Sequence, residues 1–455
     1  MTRGAEHFET ARLLGVELER KPADRIVIIG MSALTPLGDT KQTLDGLNAG
    51  KSGIKVFDAK NFATNIAGPV EFDPLKHFST KEMKEKSSLN AMAVVVAREA
   101  MKQAGLLGEN GKLKEGIKRR DVATWIGSAF GSANLVVDVY NKIHEKDLPT
   151  DNEETRKNNM IDRSAKIPVR SGLQVFPEEM NAGVAMDVGS SGWGGSSVEA
   201  CATSLSNIVL AADTIKTGKN KVAVAGGFED VLSLHPEIGL GLFAAMRSVL
   251  SKRNSDPEKA SRPFDADRDG FVLSSGGGVM VLASLEYALE LKAPILGEIF
   301  GFQKSMDGSD PTNLNKEIVA GTILGALYDE KTKSFHDVDA IYTHATSTKE
   351  GDKAEAEVLG MVFGDDLKDI PVTAVKSNIG HLAGGSGVVN AIAATNGSNT
   401  GEISPILNLE NPDPEIKNLN FVRGQSLKTE VKKALVLSYG FGGHNAVVVL
   451  GKYEA

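Results

Sequence analysis

One cysteine occurs in the 455 residues: Cys201, in the stretch Val198–Ser206 (VEACATSLS). Downstream, Leu205, Ile208, Val209, Ala212 and Ile215 recur at helical spacing, and Gly218 fits a C-cap. The thiol therefore falls at or just before a helix N-terminus, where free N–H groups and the helix dipole stabilise a thiolate. Ala200 and Ala202 leave room around it, and a following backbone N–H is placed to donate to an oxyanion. Taken alone, the stretch fits a nucleophile and an inert buried cysteine equally well.

Histidines shift that balance. Of the eight, His344 follows an apolar run in Tyr342–Glu355, His381 follows another in Lys376–Gly387, and His444 follows the turn beginning at Gly440. A histidine at the C-terminal end of a strand, ahead of a polar or glycine-rich loop, stands where α/β active sites gather. Each alone reads as a satisfied core or surface side chain. Two of them with a helix-terminal cysteine point to thiol chemistry with paired imidazoles.

The elements that must position these groups are legible as apolar, β-branched runs at 25–34, 122–129, 221–227, 278–284, 339–346, 371–377 and 445–451. Continuous rather than alternating runs predict strands buried on both faces, with helices over 89–103, 201–216 and 387–394 between them. This is a layered α/β chain. An internal echo supports two similar halves: a glycine-rich piece leads into a strand at Ser275–Ala283 and again at Gly440–Leu450. Segment 145–175 is polar without a period and reads as a surface insertion or loop. The glycines of Asp45–Gly53 have the wrong spacing for a phosphate loop and read as a turn.

The formal net charge of −8 argues against a general nucleic-acid role, and one cysteine excludes a disulfide framework or a Cys-clustered zinc site. No run of 18 apolar residues predicts a membrane span, and the N-terminal stretch lacks a secretory h-region. That stretch reads as a surface extension with Phe8, Leu13, Leu14 and Val16 on one helical side. Its four glutamates argue against a transit peptide. A cytoplasmic protein is expected. Lys76, Lys81, Lys84 and Lys86 form a basic cluster that reads either as a solvated helix face or, with Arg247, as a dock for an acidic partner.

Together, Glu199–Ser204 (EACATS), His344–Glu355 (HATSTKEGDKAE), Lys376–Gly387 (KSNIGHLAGGSG) and Ser438–Ala446 (SYGFGGHNA) resemble the β-ketoacyl-acyl-carrier-protein synthases, the elongating condensing enzymes of the thiolase superfamily. Ile26–Gly38, Ala49–Ile54, Val224–Asp230 and Ser261–Val272 match as well, in family order. The resemblance implies two similar βαβαβαββ halves in a five-layer α-β-α-β-α sandwich, divided as 1–24, 25–284 and 285–455. It also implies a dimer that needs no metal or redox cofactor and takes its substrates from acyl carrier protein acting in trans.

It implies decarboxylative Claisen condensation, with Cys201 as nucleophile and His344 and His381 as the paired histidines. Lys376 and Glu355 become supporting groups, joined by Asp352. Phe441 becomes the gate whose N–H completes the oxyanion hole, and Thr346 and Thr348 hold the phosphopantetheine arm. Phe130 falls where the family closes its acyl pocket, and its bulk implies a shortened one. A polyketide-type ketosynthase, a plain acyltransferase and an inactive partner subunit are the competing readings. Asn378 raises a Cys–His–Asn reading, but its motif fits the two-histidine type better. Glu199 and Asn390 depart from the family pattern, which has a small or hydroxyl residue at the first position and Glu at the second.

Overall fold

The computed structural model describes residues 22–58, 62–144, 152–167, 171–233, 235–246 and 249–455. The N-terminal amphipathic stretch up to residue 21, and Arg247, lie outside the described residues.

The first half contributes β1 (Ile26–Thr35), α1 (Ser88–Gln103), β2 (Val122–Gly127), α2 (Glu179–Val188), α3 (Thr203–Lys216), β3 (Val222–Glu229) and β4 (Gly276–Ser284). The second contributes β5 (Gly297–Met306), α4 (Lys316–Leu327), β6 (Ala340–Tyr342), α5 (Lys349–Phe363), β7 (Pro371–Thr373), α6 (Ser386–Thr400), β8 (Asn420–Phe421), β9 (Lys433–Gly440) and β10 (His444–Gly451). The strands join into one ladder in the order β8-β7-β6-β9-β10-β5-β1-β4-β3-β2. The halves repeat one pattern. β2 runs parallel to β3, then β3, β4 and β1 alternate antiparallel; β6 runs parallel to β9, then β9, β10 and β5 alternate antiparallel. The echoed strands β4 and β10 occupy equivalent places. Antiparallel pairing of β1 with β5 (Ile26 opposite Ile299) fuses the two sheets at their first strands.

Layering explains the continuous apolar runs. In β3, Ala223 and Ala225 face α3 and α6, while Val222 and Val224 face α1 and α2. In β9, Ala434 and Val436 face the same middle helices, while Leu435 and Leu437 face α4 and α5. Strands such as β3 and β9 are covered on both faces, so alternation disappears from their sequence although the side chains still alternate. The middle helices are buried nearly all round, small polar residues included: Leu205, Ile208, Val388 and Ile392 are fully buried between the sheets. Burying such a side chain contributes about 1.5–3 kcal/mol.

Some expectations change. The runs at 339–346 and 371–377 form strands of only three residues, and Lys376–Ile379 is a short helix. His344 and Lys376 therefore sit beyond the strand ends, on backbone free to turn toward the site. The presumed loop around residue 160 contains a helix, Glu153–Ser164, capped by Asn152 and with no buried residue. Its residues are exposed or at most half-buried, which is why it shows no apolar period. Among the described residues, no helix is long and apolar enough to cross a membrane.

Candidate active site

Cys201 lies in a one-turn 3-10 segment, Ala200–Ala202, leading directly into α3. Ala200 takes a left-handed φ of 46°, a strained backbone that turns the cysteine out of the preceding chain. Thr203 braces this elbow, its Oγ1 donating to Ala200 O (2.8 Å) and accepting from Glu199 N (2.9 Å). Gly440 packs beneath it: a Cβ there would stand 2.4 Å from Glu199 O. Ser438 Oγ donates to Cys201 O at 3.0 Å.

The structure brings Cys201, His344, His381, Glu355, Thr346, Thr348 and Phe441 to one cavity of about 1080 Å³. His381 Nε2 is 3.0 Å from Cys201 Sγ, and the two imidazoles stand edge to face at 5.8 Å. Burial holds both histidines well below the ordinary imidazole range, with Lys376 adding to it, so both rings are neutral at neutral pH. His344 Nδ1 accepts from Tyr439 N (3.2 Å) with Lys376 Nζ at 3.5 Å, which leaves the ring proton on Nε2. His381 Nδ1 lies 3.0 Å from Ser386 Oγ, which already accepts Leu382 N–H.

Glu355 fixes the His344 turn by accepting its N–H and that of Ala345, both at 2.7 Å. Lys376 Nζ donates to His344 O from the other side. Burial lowers the Lys376 pKa and raises that of Glu355, and the attraction between the two opposes both shifts. The buried Cys201 thiol is pushed up to about 12, with Lys376 and the N–H groups of Cys201 and Phe441 pulling the other way. The resting nucleophile is thus a thiol, with its thiolate-stabilising donors already in place.

Other predicted residues land elsewhere. Asp352 is fully buried and does not line the cavity; it accepts Ser347 N (3.1 Å) and Phe264 N (2.9 Å), holding the loop that carries Thr346 and Thr348. The buried Arg268, inside the matched stretch Ser261–Val272 but given no role by it, donates to the carbonyls of Thr348 (3.1 Å) and Lys349 (2.7 Å). Asn378 bonds Lys51 O (2.9 Å) and takes no part in the site. Phe130 sits behind the cavity, at the end of edge-to-face contacts running His381–Phe271 (5.1 Å), Phe271–Phe243 (5.1 Å) and Phe243–Phe130 (5.5 Å).

Lys84 and Lys86 line a separate small cavity, whereas Lys252, Lys316, Lys349 and Lys353 belong to the catalytic one. Glu199 is held by Lys304, Ser197 Oγ (2.7 Å) and Ser206 Oγ (2.6 Å), tying the elbow to β5. Among the described residues no cluster of His, Cys, Asp and Glu has metal-site geometry.

The same architecture recurs in solved structures. A β-ketoacyl synthase from Burkholderia phymatum superposes with a TM-score of 0.82 at 24% identity, over 94% of this chain and 100% of that one. The ishigamide ketosynthase/chain length factor gives 0.80 at 26% identity, over 95% and 100%. The fold is thus the thiolase fold of ketosynthases. In sequence, residues 23–288 match the N-terminal and 296–410 the C-terminal domain of beta-ketoacyl synthases. The 3-oxoacyl-[acyl-carrier-protein] synthase 2 of Synechocystis sp. is 33% identical over 96% of this chain and 99% of its own. The chloroplastic 3-oxoacyl-[acyl-carrier-protein] synthase I of Hordeum vulgare is 33% identical over 96% and 91%. The chain belongs to the β-ketoacyl synthase family.

Proposed function

We propose that this enzyme extends acyl chains in fatty acid synthesis by decarboxylative condensation, taking its acyl and malonyl groups from acyl carrier protein. The observation that carries the reading is the meeting of Cys201 with two neutral histidines in one cavity. The relatives' names supply the carrier.

In acylation, Cys201 sulfur attacks the primer thioester while the amides of Cys201 and Phe441 hold the carbonyl oxygen. The thiol proton passes by way of His381 to the departing phosphopantetheine thiolate. Before decarboxylation the ring exchanges its Nδ1 proton for one on Nε2 through solvent, and Ser386 O–H, turned to donate to His381 Nδ1 (3.0 Å), holds that tautomer. The malonyl thioester next loses CO2, and the electron pair of the broken C–C bond becomes an enolate. Its oxygen takes the Nε2–H bonds of His344 and His381; being neutral, these rings donate without having protonated the enolate. The enolate carbon attacks the acyl-Cys201 carbonyl, the C–S bond breaks, and Cys201 takes a proton from solvent. Thr346 and Thr348, with hydroxyls 3.1 Å apart on the cavity wall, hold the phosphopantetheine arm. Lys376, Glu355 and Asp352 are positioning residues.

The working unit is a homodimer: residues 193–198 lie outside β2, joined by Gly195 N to Thr124 O (2.9 Å), and present the exposed Val198 and Trp193, the latter under Lys219 Nζ at 4.2 Å. A lone buried thiol suits the reducing cytoplasm.

Intact-mass spectrometry with acyl-carrier thioester, then malonyl carrier, tests the reading on wild type and Cys201→Ala. Acylation of wild type alone, followed by a β-ketoacyl product, is expected. Acylation without a condensed product would make it a plain acyltransferase.

A further inference from the structure

Asn390, in the middle helix α6, is fully buried, and its side chain is turned toward the strands that carry the site. Its Nδ2 lies 3.1 Å from Tyr342 O, 3.0 Å from Thr343 O and 3.4 Å from Leu437 O, while Oδ1 has no partner. Three carbonyls on one side admit only the N–H end of the amide, since a flipped amide would set oxygen against oxygen.

These carbonyls mark a particular place. β6 and β9 pair in parallel up to Tyr342 opposite Val436, and there the ladder stops. One step further stand Thr343 and Leu437; one step beyond those, His344 turns into the cavity and Ser438 Oγ donates to Cys201 O (3.0 Å). Tyr439 N reaches His344 Nδ1 across the same gap (3.2 Å), fixing its tautomer. Asn390 therefore bonds both strands just where their own hydrogen bonding ends.

We infer that Asn390 is a positioning residue for the decarboxylation half-reaction: by bridging the strand ends at Thr343 and Leu437, it sets His344 against the Tyr439 amide with its Nε2 proton aimed at the enolate oxygen. The inference rests on the function proposed above. It separates the two half-reactions, because the Asn390 amide bonds Tyr342, Thr343 and Leu437 and makes no direct bond to the Cys201 elbow, Phe441 or His381.

Asp is isosteric with Asn but, ionised, turns a carboxylate toward three carbonyls. Burial and those dipoles raise its pKa, and only its protonated form donates. The experiment measures Cys201 acylation by an acyl-carrier thioester, and condensation with malonyl carrier, for wild type, Asn390→Asp and Asn390→Ala between about pH 6 and pH 8.5. Condensation is expected to fall about 10- to 100-fold at high pH in both variants, with acylation within a few-fold of wild type. The Asn390→Asp deficit shrinks as pH falls, and the Asn390→Ala deficit does not.

Equal loss in both half-reactions, or the same pH dependence in both variants, overturns the proposal. Should Asn390→Asp not fold, Asn390→Ser, which keeps a donor, is compared with Asn390→Ala; equal condensation rates overturn it. Wild type that acylates but does not condense overturns the proposed function instead.

Discussion

Glu229 is a carboxyl the chemistry does not use. It is fully buried at the end of β3, accepting Ser128 Oγ (2.6 Å) and Ala129 N, and its Oε2 has no partner. Burial pushes its pKa up to about 8, against the hydrogen bonds of Ser128, Ala129 and Phe130. The folded state thus holds a proton that the unfolded chain has lost above its ordinary carboxylate range. Folding takes up that proton, so this group's contribution is present below about pH 4.5 and declines as pH rises toward about 8. Glu229→Gln keeps the shape without the titration. Its melting temperature relative to wild type is expected to rise with pH over that window; a pH-independent difference would show that Glu229 does not titrate there. At this scale the sequence displayed the reacting groups, because their types and motif spacing are chemical. It did not display Ser386, Tyr439 N or Arg268, whose roles arise from where a hydroxyl, an amide and a buried guanidinium arrive in space.

At the scale of elements, the site is made of endings: an elbow before α3, two three-residue strands, and the turn between β9 and β10. Their apolar runs were legible, but their lengths were not. Extended sequence continues past Tyr342 and Thr373, while the paired register of the ladder does not. The aromatic contacts from His381 through Phe271 and Phe243 to Phe130 are likewise a tertiary arrangement of residues from four separate segments. Their rings occupy the space behind Cys201, and we propose that they limit primer length. Phe130→Gly is expected to raise condensation with long primers over short ones by about tenfold, the effect of roughly 1.4 kcal/mol of recovered space. Efficient use of long primers by wild type, with no gain in the variant, would remove Phe130 from specificity.

At the scale of the whole molecule, the outer edge beyond β2 is where a second copy would add. Trp193→Asp removes the exposed indole and sets a charge on that edge, and on the proposed homodimer is expected to shift the enzyme from dimer to monomer in sedimentation, with the far-UV spectrum kept. A variant that remains dimeric would put the interface elsewhere.

The chain by itself determined the layered α/β class, the doubled strand pattern, and Cys201, His344 and His381 as the candidate reacting groups, since patterning and functional-group chemistry are local properties. Only the tertiary structure decided that the two sheets fuse through β1 and β5, that Asp352 braces a loop instead of lining the cavity, and that Lys84 and Lys86 lie at a different cavity. It also decided that Asn390 bridges two strands. Each of these depends on which distant segments become neighbours, and that is set by burying the middle helices between both sheets rather than by any short stretch of sequence.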